Sequence, residues 1–252
     1  MAQRSIADRL MRYVRPTLLR DFAPPPLALA PDLWTLERRL RMPGGPILSN
    51  RTTLIRLPSG GLLVVSPPPV EAGGLEPLDA LGAVEEVLVS NSFHYLYAAD
   101  FAARYPRAAL RLAPALHARV AGLPGEEIAD VTPSAWRPAV EHLVFGPVRG
   151  LSEVVVFHRP SGTLVLTDLA FNLVRFESAA QRLLWRLSGV PVGFGPSRTA
   201  RTLLLRDRPA VAAFLARVLA WPIARIVVAH GEPIEADAAG ILRRAFAAYL
   251  PA

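Results

Sequence analysis

The sequence predicts an α/β fold in which sheets are covered by helices. Apolar residues make up 52% of the 252-residue chain and charged residues 19%, enough to fill one large core and contrary to the composition of a disordered chain. Strand hairpins followed by alternating strands and helices recur twice along it, the pattern of sheets packed under helices rather than of a bundle or an all-β sandwich. No repeat of solenoid period interrupts that order.

The chain opens with a basic arm over residues 1–31. Ile6, Leu10, Val14 and Leu18 recur every four residues among Arg4, Arg9, Arg12, Arg15 and Arg20, an amphipathic spacing that suits packing on the chain's own domain or, over residues 4–20, peripheral contact with an anionic membrane. Pro16 interrupts any long helix, and the arm lacks the apolar core and cleavage site of a secretory signal. Ala23 to Pro31 reads as a Pro-rich extended linker, so the folded domain is expected at 32–252.

Within that domain, Thr52–Leu57 and Gly61–Ser66 form a predicted hairpin around Pro58-Ser59-Gly60. A helical segment at Pro77–Ala83 leads into the apolar strand Glu86–Ser90, which ends at Asn91-Ser92-Phe93-His94. Tyr97–Tyr105 has helical spacing and Ala108–Pro114 reads as a strand. β character resumes at Ala139, with Glu153–His158 and Thr163–Asp168 joined by a Pro160-Ser161-Gly162 turn, so Asp168 stands at a strand's C-terminal end. Helices are predicted at Ser178–Leu187 and Pro209–Leu219, the strand Arg225–Ala229 runs into His230-Gly231, and a last helix spans Ala236–Tyr249.

Composition removes several function classes. The net charge of +7 comes from 28 basic residues that are all arginine and are spread along the chain, a compositional bias rather than a phosphate-binding patch, so a nucleic-acid partner is not expected. With no cysteine, disulfides, thiolate metal sites and cysteine nucleophiles are excluded, which fits a reducing cytoplasm. The most apolar stretch, Val211–Ala229, is cut by Arg217, Pro222 and Arg225, and no transmembrane helix is expected. A Gly-x-Ser-x-Gly elbow is missing, and Gly193-Phe194-Gly195-Pro196-Ser197-Arg198 lacks the context of a phosphate loop.

Three polar loops follow directly on apolar strands: Ser90 to Tyr95, Thr167-Asp168-Leu169 and Ala229-His230-Gly231-Glu232. Their order and spacing resemble the metallo-β-lactamase superfamily from about Asn50 onward, with Asn50 to Ile55 similar to its opening strand. Leu33-Trp34, Asn91 to Tyr95, Glu153 to His158, Thr163 to Asn172 and Ala229-His230-Gly231 are similar, more narrowly, to a group of such domains of unknown function from bacteria and plants. The resemblance implies a four-layer αββα sandwich. The superfamily's zinc hydrolases carry a His-x-His-x-Asp-His loop, which supplies several ligands to closely spaced cations. Here that loop is degraded: Asn91 and Phe93 stand in the first two histidine places, with Tyr95 and Leu96 for Asp-His, or, one residue shifted, His94 takes the second place. The next histidine falls near Arg149 in Gly146-Pro147-Val148-Arg149-Gly150, whereas Asp168 matches the bridging aspartate and His230 the last histidine.

Two functions follow from this. In the first, which the depleted motif favours, the chain is a non-hydrolytic pseudo-enzyme: the site has lost its metal and the cleft, drawn from Asn91, His94, Tyr95, Arg149, Asp168, Asn172, His230 and Glu232, binds a small anion such as phosphate or a carboxylate, with no cofactor. In the second, His94, Asp168 and His230 retain a single zinc or iron ion, and the chain is a mononuclear hydrolase. Each ligand also has a local reading: Asp168 as the cap of a turn, His94 as a structural histidine between Phe93 and Tyr95, and His230 as a turn or packing residue. His142 and His158 read as structural and His117 as lying on a surface helix.

Overall fold

Backbone pairing sorts most strands into two sheets. The structure, a computed structural model, describes residues 16–70, 74–117 and 122–250. The first sheet contains β1 (Thr17–Leu19), β2 (Leu27–Ala30), β3 (Leu33–Arg41), β4 (Ile47–Arg56), β5 (Leu62–Val65), β6 (Val84–Val89), β7 (Ala109–Leu112) and β8 (Glu126–Glu127). Their order is β1-β3-β4-β5-β6-β7-β8, with β2 paired to β3. From β3 to β5 the pairing is antiparallel, and from β5 to β8 it is parallel. Parallel neighbours need crossovers; α1 (Glu76–Asp79) and α2 (Ala98–Arg104) supply the first two.

The second sheet has the order β14-β11-β10-β9, built from β9 (Val140–Val148), β10 (Leu151–His158), β11 (Thr163–Leu166) and β14 (Arg225–Val228). Strands β9 to β11 form an antiparallel meander, and β14 returns parallel to β11. The chain between them carries β12 (Phe171–Leu173), α3 (Ala179–Ser188), β13 (Gly193–Gly195) and α4 (Arg208–Leu219), and α5 (Ala238–Ala245) follows β14.

Side-chain alternation along the strands stacks the layers. On β10, Val154 and Val156 point between the sheets, where they meet Leu33, Ile55, Leu63 and Leu88 of the first sheet. Val155 and Phe157 point the other way, onto Val211, Phe214 and Val218 of α4 and Leu242 of α5. Every residue of β10 is buried, because both of its faces are covered. The outer face of the first sheet, Leu54, Val64, Val87 and Val89, packs on Leu78 of α1 and Phe101 of α2. The result is the αββα sandwich that the resemblance implies.

Residues 23–31, expected as a linker, instead contain β2. Its prolines, Pro24 to Pro26 and Pro31, flank the strand, so the ladder to β3 loses no donor. The Gly193–Gly195 stretch pairs with β12. The last helix stops at Ala245 and a 3-10 turn, Ala247–Tyr249, continues it. His117 sits exposed in a turn rather than on a helix, and residues 1–15 of the basic arm lie outside the described residues. Among the described residues no helix is long and apolar enough to cross a membrane.

Candidate metal centre

The loops after β6, β11 and β14 converge at one end of the sandwich, and each is shaped by a specific bond. After β6, the Asn91 Oδ1 accepts from the backbone N–H of Phe93 at 2.7 Å and of His94 at 2.9 Å, an Asx turn that folds His94 back over the strand end. The Asn91 Nδ2 donates to Thr167 Oγ1 and to Asp168 Oδ2, both at 2.8 Å, and so ties the first loop to the second.

After β11, the second loop is held from below by Glu153 of β10. Its Oε1 accepts from Thr167 N–H at 2.7 Å and Thr167 Oγ1 at 2.6 Å, and its Oε2 from Asp168 N–H at 3.3 Å. Burial, assisted by the nearby Asp168 charge, raises the Glu153 carboxyl to about 7 against the pull of its Thr167 and Leu169 bonds.

After β14, the third loop docks on β4. The overhanging half of β4 extends past its pairing with β5, and there the Arg51 N–H donates to Ala229 O at 2.8 Å. The buried Arg51 guanidinium donates to Val228 O at 2.9 Å and to Gly231 O, and pairs with Glu37 at 2.9 Å. Gly231 is required at its position: it has φ +106°, and a Cβ there would collide with the carbonyl of Asn172. The His230 ring stacks on Phe171, with centroids 5.0 Å apart.

Together these loops converge His94, Asp168 and His230. The two Nε2 atoms are 3.2 Å apart; His94 Nε2 lies 3.5 Å from Asp168 Oδ2, and His230 Nε2 lies 3.3 Å from Asp168 Oδ1. Donors about 2.0–2.1 Å from a tetrahedral zinc ion would be separated by roughly 3.3–3.4 Å, so the spacing fits one such ion. The His230 Nδ1 donates to the Ser49 carbonyl at 2.6 Å; since a carbonyl only accepts, Nδ1 keeps the hydrogen and Nε2 is the ring nitrogen turned to the site. Burial lowers His94 to about 4, more than Asp168 raises it, which leaves a neutral imidazole at neutral pH. Burial pushes the Asp168 carboxyl up, but the imidazoles of His94 and His230 and the Asn91 amide outweigh it and hold the group at about 2. A carboxylate and two imidazole nitrogens form a donor set for a cation.

A cavity of about 420 Å³ opens on this cluster. Not every expected residue reaches it. Arg149 does not line it; Arg149 (φ 52°) and Gly150 (φ 76°) form the two-residue turn between β9 and β10, the positive-φ pair that tight hairpins use, and the arginine is exposed there. Asn172 and Glu232 also lie outside the lining: the Asn172 Nδ2 donates to Glu232 O at 2.7 Å and its N–H to His230 O at 2.9 Å, which braces the third loop, while the Glu232 carboxylate faces Arg175 at 3.4 Å. Tyr95 packs against the α2 side of the first sheet. His142 and His158 are buried away from the cluster, bonded to Ala129 O and Ser161 Oγ. The sequence reading missed Glu153, Thr167, Ser49 and the role of Arg51. Glu153 alone carried a signal, as the one acidic residue in the otherwise apolar run Val154 to Phe157 that it precedes.

A family model described as a domain of unknown function (DUF4336) matches residues 31–184. No curated protein matches the sequence. Among solved structures, the flavodiiron core of Flv1 from Synechocystis superposes with a TM-score of 0.60 at 14% identity, covering 93% of this chain and 61% of that one; this chain thus spans less than two thirds of that relative. The metallo-β-lactamase FIM-1 from Pseudomonas aeruginosa, in its mono-zinc form, gives 0.57 at 13% identity over 92% of this chain and 100% of that one. A metallo-β-lactamase from Pontibacter korlensis gives 0.59 at 13% identity, with coverages of 89% and 96%. At these identities the likeness is one of fold.

Proposed function

The chain belongs to the DUF4336 family and has the metallo-β-lactamase fold, and we propose that it is a mononuclear metal-dependent hydrolase whose single ion is held by His94, Asp168 and His230. The observation that carries this reading is the mutual 3.2 to 3.5 Å spacing of the three donor groups. Among the described residues no second group of three such side chains is found, which favours one ion over two. The mono-zinc form of the Pseudomonas aeruginosa relative is a precedent for one ion in this fold.

A divalent ion held here supplies Lewis acidity, polarising a carbonyl and making water a competent nucleophile near neutral pH. The chain's own residues prepare the place. Asp168 brings the negative charge, the Ser49 carbonyl fixes the His230 tautomer, and burial keeps His94 unprotonated. Asn91 and Glu153 hold the Asp168 loop from two sides. The alternative of a metal-free anion pocket loses its main support, because Arg149 is outside the cavity.

Elemental analysis of protein purified without chelators tests the proposal. About one zinc per chain is expected, falling to roughly a tenth or less in His230→Ala and Asp168→Ala. An empty wild-type site contradicts it; stoichiometric iron would keep the site and replace hydrolysis with iron chemistry.

A further inference from the structure

The cavity's walls are unlike the rest of the molecule. All 28 basic residues of the chain are arginine, and the net charge is +7, yet no arginine is among the described residues that line the cavity. Its sides are apolar, formed by such residues as Leu40, Leu48, Phe93, Leu151, Leu184 and Trp185. Two of the hydroxyls that line it are already donated to the protein: Ser152 Oγ to Pro114 O at 2.6 Å and Ser188 Oγ to Trp185 O at 2.7 Å. Of the acidic groups that line it, Asp168 lies against the two histidines and Glu153 bonds the Asp168 backbone N–H.

From this lining we infer that the cavity receives an uncharged molecule with an apolar arm, its polar end directed at His94, Asp168 and His230. The inference rests on the reading of that cluster as the reactive end of the site and names its substrate class. Sites for phosphoryl or carboxylate groups surround the anionic oxygens with arginine, lysine or other free donors. Among the described residues that line the cavity no arginine stands ready to pair a further anionic oxygen, and placing such an oxygen against the apolar walls is costly. An apolar arm instead gains by leaving water, and a volume of about 420 Å³ suits a small organic ligand.

Isothermal titration of the chelator-treated full chain with three ligands of matched arm length tests this: N-hexylacetamide, hexanoate and hexyl phosphate. The neutral amide is expected to bind at least about tenfold more tightly than either anion. Leu184, 45% exposed at the cavity rim, gives the local control. Leu184→Arg is expected to weaken amide binding at least about tenfold, whereas Leu187→Arg, on the same helix but outside the lining, leaves it unchanged. An anion that binds as tightly as the amide, a folded protein that binds no amide, or binding indifferent to Leu184→Arg overturns the inference. Metal content of untreated samples separates the two proposals: amide binding by a protein that carries no metal leaves this inference standing and removes the hydrolase, and a metal-loaded protein blind to the amide does the reverse.

Discussion

In the proposed centre His230 is positioned through the atom it turns away from the site: with Nδ1 committed to the Ser49 carbonyl, Nε2 is the ring nitrogen left to face the cluster. His94 and Glu153 are set by burial instead, in opposite senses, and this gives the metal-free protein a distinctive pH response. His94 falls from 6.5 to about 4 on folding, so between those values the unfolded chain binds a proton that the folded chain refuses, and stability falls as pH falls. Glu153 rises from 4.5 to about 7, so its contribution is fully present below 4.5 and is lost as pH rises through 7. Asp168, lowered from 3.8 to about 2, adds a loss only below that range, and His230 shares the same cluster. In chelator-treated protein the first two effects oppose each other between pH 4.5 and 6.5. Urea titrations across that window are expected to show a steeper acid loss in Glu153→Gln than in wild type and a reversed slope in His94→Asn. Parallel profiles for all three would refute these burial effects. At this scale the sequence displayed Asp168, His230 and His94, because each lies in a polar loop that directly follows an apolar strand. It misplaced Arg149, whose position is decided by a two-residue turn, and it hid Ser49 and Arg51, whose partners lie 181 and 177 residues away along the chain.

The elements matter through the loops they aim. Thr167, at the end of β11, is a hub: it donates to Glu153 Oε1 and accepts from Asn91 Nδ2 and, at 3.3 Å, from Ser90 Oγ. Thr167→Val strands these buried partners and is expected to cost about 1–3 kcal/mol in urea denaturation, together with weaker zinc binding. The β14 loop has less latitude still. Gly231 has φ +106° and lies against the Asn172 carbonyl with no room for a Cβ, so Gly231→Ala is expected to cost at least about 2 kcal/mol and to move His230 out of the cluster, read as lost zinc stoichiometry. Wild-type stability and metal content in that variant would contradict the bracing of the loop by β12. The hairpins and long helices were legible because their period is carried by many residues. Strands β1, β2, β12 and β13 were not, since three- and four-residue ladders are decided by what lies beside them rather than by local propensity.

For the whole molecule, the two sheets place three strand ends, those of β6, β11 and β14, at one edge, and their loops carry His94, Asp168 and His230. Helices on both outer faces leave that edge open, and the cavity forms there. The fold class was readable from the order of strands and helices, and the four layers from the resemblance. How the depleted motif closes into a three-residue centre depends on tertiary geometry that no spacing in the sequence contains. Anomalous diffraction at the zinc edge, on crystals of the full chain grown with zinc, tests that centre most directly. A single peak about 2.0–2.1 Å from both Nε2 atoms and from an Asp168 oxygen is the expected result; no peak among these residues, or a pair of peaks about 3.5–4 Å apart, would contradict it.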